Sequence, residues 1–125
     1  MTNKLIYKEL SFNIIGLCME VHKKLGAGFV EVVYKDALEY ELIKCGINFQ
    51  REKTYSVEYK DIVLKHQFYA DFVIENKIII EVKAVKELSE IHASQTINYL
   101  KVSKNKLGLL INFGEDRLTY KRYVL

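Results

Sequence analysis

The sequence contains no proline, and it has only two cysteines and no long uninterrupted run of apolar residues. Without proline, the ends of helices and strands have to be predicted from glycines and clusters of polar residues. Two cysteines, Cys18 and Cys45, are too few for a disulfide framework or a cysteine zinc site, and both are expected to be buried free thiols. No apolar run approaches the roughly 20 residues that a membrane-spanning helix needs.

The rest of the composition is that of an ordinary globular protein. Of the 125 residues, 50% are hydrophobic and 28% are charged. There is no repeat or low-complexity segment, so one domain spanning residues 1–125 is expected. The N-terminal segment MTNKLIYKEL mixes charged and apolar residues and lacks the apolar centre of a signal peptide. A cytoplasmic location without a membrane partner is therefore expected.

The net charge of +3 is a mild basic excess, which is compatible with nucleic acid as a partner. Basic residues become denser in the last third of the chain, where a local patch would matter more than the total charge. The alternative is that these charges are spread evenly over a solvated surface. The residues that would form the patch are Lys101, Lys104, Lys106, Arg117, Lys121 and Arg122.

The sequence predicts three helices, two of them from apolar periodicity. Residues 5–25 and 29–44 each place apolar side chains along one helical face, and each segment is followed by glycine. A third helix is predicted over residues 87–102, with Ser89 as its N-cap.

Alternation of apolar and polar residues predicts the strands. Residues 48–59 and 62–74 are expected to form a hairpin, the second arm being one long strand or two short ones, and IIIEVKAV (78–85) follows after a turn. LGLLINFG (107–114) is nearly all apolar, which indicates a strand covered on both faces, and residues 117–125 close the chain as an edge strand. This order predicts an α/β (α+β) fold, a mixed sheet flanked by helices on both sides, with the third helix joining two parallel strands.

Three charged residues interrupt the most apolar hairpin. Asp71 lies within QFYADFVIE, and Glu81 and Lys83 lie within IIIEVKAV. The i, i+2 spacing puts Ile79, Glu81 and Lys83 on one face of their strand, and that face is expected to be open.

The length of the turn decides whether Asp71 joins this face. A two-residue turn would set Asp71 opposite Val82, and a three-residue turn, Glu75 to Lys77, would set it opposite Glu81. A register two residues different would oppose Asp71 to Lys83. One of the odd-loop registers is predicted, because these put all three charges on one face.

Two neighbouring carboxylates in a partly apolar site repel one another, and one of them gains a proton unless a cation is present. Mg²⁺ resolves this repulsion because it takes hard oxygen ligands and commonly uses one or two carboxylates with several waters. Asp71, Glu81 and the backbone carbonyl of Val82 are the predicted ligands, with Mn²⁺ as a substitute ion. Lys83 would hold a water or stabilise negative charge on a phosphate. The alternative is a solvated strand face with a weak ion pair.

Residues of two helices add to this set. Glu31 shares a helix face with Tyr34 and needs a partner, which the metal, a water or Lys83 would supply. The alternative is a glutamate that the helix dipole favours. Gln95 and Tyr99, four residues apart, project together and would bind a phosphate oxygen or hold Lys83. The alternative there is a half-polar helix face.

These residues resemble a known family. The segment AGFVEVVYKDALEYEL contains Gly28-x-x-Glu31-x-x-Tyr34 and resembles the GxxExxY proteins, small prokaryotic proteins grouped with the PD-(D/E)xK nuclease superfamily. Three further blocks resemble the family in its order: YADFVIENKIIIEVKAVKEL, HASQTINYLK and LGLLINFG. The resemblance implies the restriction-endonuclease-like core, αβββαβ. Ala70 stands where the superfamily has a proline before its first aspartate.

The resemblance also implies site residues. Asp71 matches the superfamily's first acidic residue, and Glu81 and Lys83 match its Glu-x-Lys. Glu31 matches its helix glutamate. Gln95 and Tyr99 match the Gln-x-x-x-Tyr of its exonuclease-like members. Glu31 is accordingly an expected metal ligand together with Asp71, Glu81 and the carbonyl of Val82.

Residues and resemblance together predict a Mg²⁺-dependent nuclease that hydrolyses phosphodiester bonds of DNA or RNA, with the basic last third of the chain contacting phosphates. One alternative is a non-catalytic module that keeps the fold and binds nucleic acid or a protein. Another is a subunit of a larger defence or repair complex that is inactive alone. A homodimer is a reasonable expectation for a small nuclease fold.

Overall fold

The computed structural model describes residues 6–125, and every structural statement below concerns that part of the chain. The elements, in order, are α1 (Lys8–Leu25), α2 (Glu31–Lys44), β1 (Phe49–Tyr59), β2 (Ile62–Ile74), β3 (Ile78–Lys83), α3 (Glu90–Ser103), β4 (Leu107–Asn112) and β5 (Thr119–Val124). This order confirms the predicted one, with β2 as one long strand. The predicted start of the first helix, Leu5, lies outside the described residues. Ser89 is the N-cap of α3, as predicted, and its N–H donates to Nδ1 of His92 at 3.1 Å.

The five strands form one mixed sheet in the order β1-β2-β3-β4-β5. Only β3 and β4 are parallel, and α3 is the connection between them, as the sequence predicts. All six residues of β4 are buried, because β4 lies inside the sheet and helices cover both of its faces, α1 and α2 on the side of Leu109 and α3 on the side of Gly108. The predicted mixed sheet and the predicted cover on both faces of β4 are therefore confirmed.

Helices cover both faces of the sheet. Helices α1 and α2 pack against Phe72, Ile80 and other residues of the larger core, while Leu100 of α3 packs with Val73 and Ile79 in a smaller one. Each fully buried side chain of this size stabilises the fold by roughly 1.5–3 kcal/mol. The expectation that the face of β3 bearing Ile79 is open is wrong, because α3 lies over that face and buries Ile79 completely.

A glycine in β4 brings α3 close to the sheet. A Cβ atom added to Gly108 would lie 3.1 Å from Cγ2 of Thr96 and 3.4 Å from the methyl groups of Leu100. Thr96 and Leu100 are buried one helical turn apart and hold α3 on β4. The neighbouring positions, Gln95 and Tyr99, are thereby placed beside the strands.

The turn before α2 is fixed by a tyrosine. Gly26 has a φ of +69°, a conformation that favours glycine. The hydroxyl of Tyr34 donates to the carbonyl oxygen of Gly26 and accepts the N–H of Phe29 at 3.2 Å. The Tyr34 ring stacks on Phe113 with 4.7 Å between centroids. These contacts set where α2 begins, and Glu31 is its first residue.

Strands β1 and β2 extend beyond the rest of the sheet. β3 pairs only with residues 72–74 of β2, whereas β1 pairs with β2 along most of its length. Residues 53–70, called the hairpin arm below, therefore project as a two-stranded ribbon around the turn at Lys60-Asp61. The tip of the arm exposes apolar side chains, among them Tyr59, Ile62 and Val63.

The two cysteines differ in exposure. Cys18 is a buried free thiol of α1, as predicted, and burial raises its pKa. Cys45 is a free thiol but exposed, which makes the prediction of burial wrong, because it caps the surface end of α2. Within residues 6–125, none of the helices has the length and apolar character needed to cross a membrane.

Candidate active site

The hairpin of β2 and β3 brings two carboxylates face to face. The loop is residues 75–77 and Ile74 pairs with Ile78, so the same register sets Asp71 opposite Glu81. This is the three-residue-turn register among those predicted, and residues opposite one another on neighbouring strands share a face. The prediction of an odd-length loop is confirmed.

The two strands separate at these acids, because the regular pairing extends from the turn only as far as Phe72 and Ile80, the residues next to Asp71 and Glu81. There the carboxylates bond to the backbone of the opposite strand. Oδ2 of Asp71 accepts the N–H of Val82 at 2.7 Å, and Oε2 of Glu81 accepts the N–H of Asp71 at 3.0 Å. Both acids are buried, with 7% and 4% of their surface exposed. Side-chain oxygens thus satisfy buried N–H groups that regular strand pairing does not.

Lys35 of α2 neutralises Asp71. Its Nζ donates to Oδ1 of Asp71 at 2.9 Å and also to Oε2 of Glu52 on β1. The side chains of Lys35 and Asp71 are about 11% and 10% exposed, whereas that of Glu52 is 48% exposed. Sequence reasoning missed Lys35 and Glu52. The one signal for Lys35 was its position four residues after Glu31, which puts both on one helix face.

The pair of acids holds a proton. Burial, followed by the negative charge of Asp71, raises the pKa of Glu81 to about 9, although the Asp71 N–H and the ammonium groups of Lys83 and Lys35 act in the opposite direction. At neutral pH one proton is therefore retained between the two carboxylates. This agrees with the expectation for two neighbouring carboxylates without a metal cation.

Glu31 lies partly buried at the start of α2, within electrostatic reach of Asp71 and Lys83. Burial raises its pKa, the ammonium of Lys83 lowers it, and the charge of Asp71 raises it again. Across residues 6–125, however, three or more His, Cys, Asp or Glu side chains nowhere converge in a way that could hold a metal ion. The role of Glu31 as a metal ligand stays a prediction.

The predicted polar residues of β3 and α3 share a cavity. Lys83, Gln95 and Tyr99 line a space of about 310 Å³ between α3 and the hairpin arm. Phe68 of the arm packs edge-on against Tyr99, with 5.6 Å between ring centroids. Burial, then the charges of Glu81 and Asp71, raises the pKa of Tyr99 to about 12, which keeps its hydroxyl a hydrogen-bond donor.

Several residues around this cavity were not predicted from the sequence. The arm contributes His66, Gln67, Phe68 and Tyr69 to its lining. Nothing in the alternating pattern of β2 indicates which part of the arm lies against α3.

The end of β3 is held in place by β4. The N–H of Phe113 donates to the carbonyl oxygen of Lys83 at 2.8 Å. The buried side chain of Asn112 accepts the N–H of Val85 at 3.0 Å and donates to its carbonyl oxygen at 2.9 Å. In the described part of the chain, the ammonium of Lys83 has no carboxylate within ion-pair distance. A fixed backbone therefore presents an unpaired cation.

The predicted basic patch is divided by the fold. The guanidinium of Arg122 donates to Oγ of Ser11 at 3.1 Å and to the carbonyl oxygen of Ile6, so it ties β5 to α1, and its role as a phosphate contact stays a prediction. Lys101 and Lys104 stand at the end of α3 beside the hairpin arm. The other predicted residues, Lys106, Arg117 and Lys121, are exposed.

Comparison with known proteins supports the fold. A family model described as PD-(D/E)XK nuclease superfamily matches residues 8–123. No curated protein matches the chain. The chain is similar to a solved structure described as the crystal structure of SSO0001, with a TM-score of 0.64 and 24% identity over 75% of this chain. It spans 50% of that chain, and at this identity the similarity concerns the fold alone. The predicted restriction-endonuclease-like fold is confirmed.

Proposed function

Because the chain belongs to the PD-(D/E)XK nuclease superfamily, we propose that it is a Mg²⁺-dependent nuclease that hydrolyses phosphodiester bonds of DNA or RNA. The observation that supports this most is the buried pair Asp71 and Glu81 beside the unpaired Lys83. Burying two adjacent acids destabilises a purely structural core, because the carboxylates repel each other and must share a proton. A divalent cation between them would remove this repulsion. The spacing of Gly28, Glu31 and Tyr34 supports placing the protein among the GxxExxY proteins.

The oxygen donors at the separated strands are of the type that Mg²⁺ prefers, although the described side chains do not form a ready-made metal site. Asp71, Glu81 and the carbonyl of Val82 would hold the ion with Glu31 beside them, and Mn²⁺ is expected to substitute. The acid pair retains a proton because nearby cations do not balance both of its negative charges, and a bound divalent cation would do so. When bound, a divalent cation supplies Lewis-acid stabilisation of charge on the phosphoryl group.

The remaining roles belong to side chains that line the cavity. The ammonium of Lys83 would stabilise negative charge that develops on the phosphoryl oxygens, because it has a fixed backbone and no ion-pair partner in the described chain. The Gln95 amide and the Tyr99 hydroxyl would donate to phosphate oxygens. Their place on one face of α3 holds both donors toward the same space.

Nucleic acid would run between α3 and the hairpin arm. Lys101 and Lys104 lie further along α3 than the cavity and also face the arm. Ammonium groups along this path could contact the phosphates of a nucleic acid, and such contacts do not depend on the base sequence. A homodimer and a cytoplasmic location are part of the same proposal.

A cleavage assay tests this function. Labelled single-stranded and double-stranded DNA and RNA are incubated with Mg²⁺ or Mn²⁺, with EDTA as the metal-free reference. Lys83→Ala and Asp71→Asn are each expected to reduce cleavage by about 10²–10³-fold, the usual loss when a group stabilising transition-state charge is removed. Lys86→Ala, an exposed lysine three residues further on, is the matched control. Unchanged cleavage in both site variants would contradict the assignment.

A non-catalytic binding module is the second candidate. It is favoured by the hydrogen bonds of Asp71, whose two oxygens are already taken by Lys35 and the Val82 N–H. In that case the charges form a structural network and nucleic acid binds without metal and without turnover. Calorimetric titration with Mn²⁺ separates the two, because only the nuclease site should bind the ion and lose it in Asp71→Asn.

A further inference from the structure

The positive charge that contacts Asp71 in the structure is the ammonium of Lys35. Lys35 Nζ is 2.9 Å from Oδ1 of Asp71, and both side chains are almost fully buried. The predicted metal ligand thus already has a positive partner. A divalent cation approaching Asp71 would meet this ammonium at the same carboxylate.

The same ammonium has a second acceptor. Glu52 Oε2 on β1 also accepts from Lys35 Nζ, and the Glu52 side chain is about half exposed. Glu52 has a φ of +54° within β1, which residues other than glycine rarely adopt. Lys35 therefore sits between a buried carboxylate on the site side and a more exposed one on the outer strand.

A lysine can move between these acceptors at small cost. Its long side chain has several rotatable bonds, and its ammonium is a compact charge with three donors. Asp71 would stay held by the Val82 N–H at Oδ2 when Oδ1 is vacated. The backbone of the hairpin need not move.

We propose that Lys35 is a displaceable counter-ion that occupies Asp71 in the metal-free protein and shifts onto Glu52 when a divalent cation binds. This inference rests on the proposed function, since it concerns the same metal site. Lys35 is then a positioning residue that sets metal affinity, and Glu52 is the carboxylate that receives it.

Calorimetric titration with MnCl₂ tests the proposal without any nucleic acid. Lys35→Met removes the ammonium and is expected to bind Mn²⁺ about tenfold more tightly, within the range typical of coupling between two ligands. Glu52→Gln removes the receiving charge and is expected to bind about two- to fivefold more weakly, as for loss of a partly exposed ion pair.

Two controls keep the result specific. Lys35→Arg retains the positive charge and should not gain affinity. Arg51→Met removes a neighbouring cation that pairs with Asp36 and Glu39 instead, and its affinity should equal that of the wild type. Circular dichroism establishes that each variant is folded.

The outcomes separate the role of Lys35 as a displaceable counter-ion from the existence of the metal site. If the wild type binds Mn²⁺ but folded Lys35→Met binds it equally or more weakly, the displaceable counter-ion is refuted and the metal site stands. If Lys35→Met does not fold, Glu52→Gln decides: weaker binding supports the proposal, and unchanged binding overturns it. If the wild type binds no Mn²⁺, the metal site and this inference both fail.

Discussion

Replacing Glu81 by glutamine should stabilise the metal-free protein, and the gain should grow as the pH rises. Glu81 is buried opposite Asp71, and its pKa is raised from 4.5 to about 9 by burial and by that neighbouring charge. Glutamine has nearly the same shape and keeps an oxygen that can accept the N–H of Asp71. It has no proton to retain or to lose.

The size of the effect follows from proton uptake. In the folded protein the acid pair holds a proton that the unfolded chain releases above its ordinary pKa of 4.5, so stability is greatest below that pH and is lost as the pH rises toward 9. Each pH unit in this window is worth about 1.4 kcal/mol for one proton. Between pH 5 and 7.5 the wild type should therefore lose up to about 3 kcal/mol relative to Glu81→Gln.

Urea unfolding followed by far-ultraviolet circular dichroism, in EDTA and at several pH values from 5 to 8, measures this difference. Comparing the two proteins at each pH cancels the titration of the three histidines. Glu75→Gln removes a carboxylate from the loop of the same hairpin and serves as the control. A stability difference that stays constant from pH 5 to 8 would refute the shared proton.

Four further predictions concern the turn before α2, the loop after β4, helix α1 and the metal. Tyr34→Phe removes both backbone hydrogen bonds of the hydroxyl and should cost about 1–3 kcal/mol in urea unfolding, whereas Tyr40→Phe, exposed on the same helix, should be neutral. Gly114→Ala should lower the thermal midpoint, because its Cβ would lie 2.3 Å from a backbone carbonyl oxygen. Gly16→Ala, which meets open space in α1, should instead stabilise by up to about 1 kcal/mol. Mn²⁺ affinity should rise by up to about tenfold per pH unit from pH 6 to 8, because the ion displaces the proton of Glu81, and a flat calorimetric profile would speak against this.

Most of the fold could be predicted because its signals are local. Apolar periodicity indicated α1 and α2, the N-cap Ser89 helped to indicate α3, and the nearly all-apolar run of β4 indicated its cover on both faces. The demand that buried charges share a face narrowed the register of β2 and β3 to the odd-length loops, and the structure has the three-residue turn. Ile79 was misjudged, because the pattern of a strand does not reveal which helix returns to cover it.

The predicted site is incomplete for a different reason. Asp71, Glu81 and Lys83 stand out because charges are rare in apolar strands. Lys35 does not stand out, since a lysine on an amphipathic helix is usually solvated, and its burial depends on an acid 36 positions away. Asn112 carried a readable signal as the polar residue of an apolar strand, while Glu52 in an alternating strand carried none.

Because Asp71 is bonded to the backbone of the opposite strand and to Lys35, a substitution there perturbs the junction of two strands and a helix as well as any chemistry. Lys83 is different, since its ammonium supports no described ion pair and its backbone is fixed independently by β4. Loss of activity in an Asp71 variant could thus come from a perturbed fold as well as from lost chemistry. Loss of activity at Lys83 would report on reactivity alone, which makes a folded Lys83→Ala protein the natural trap for a bound, uncleaved nucleic acid.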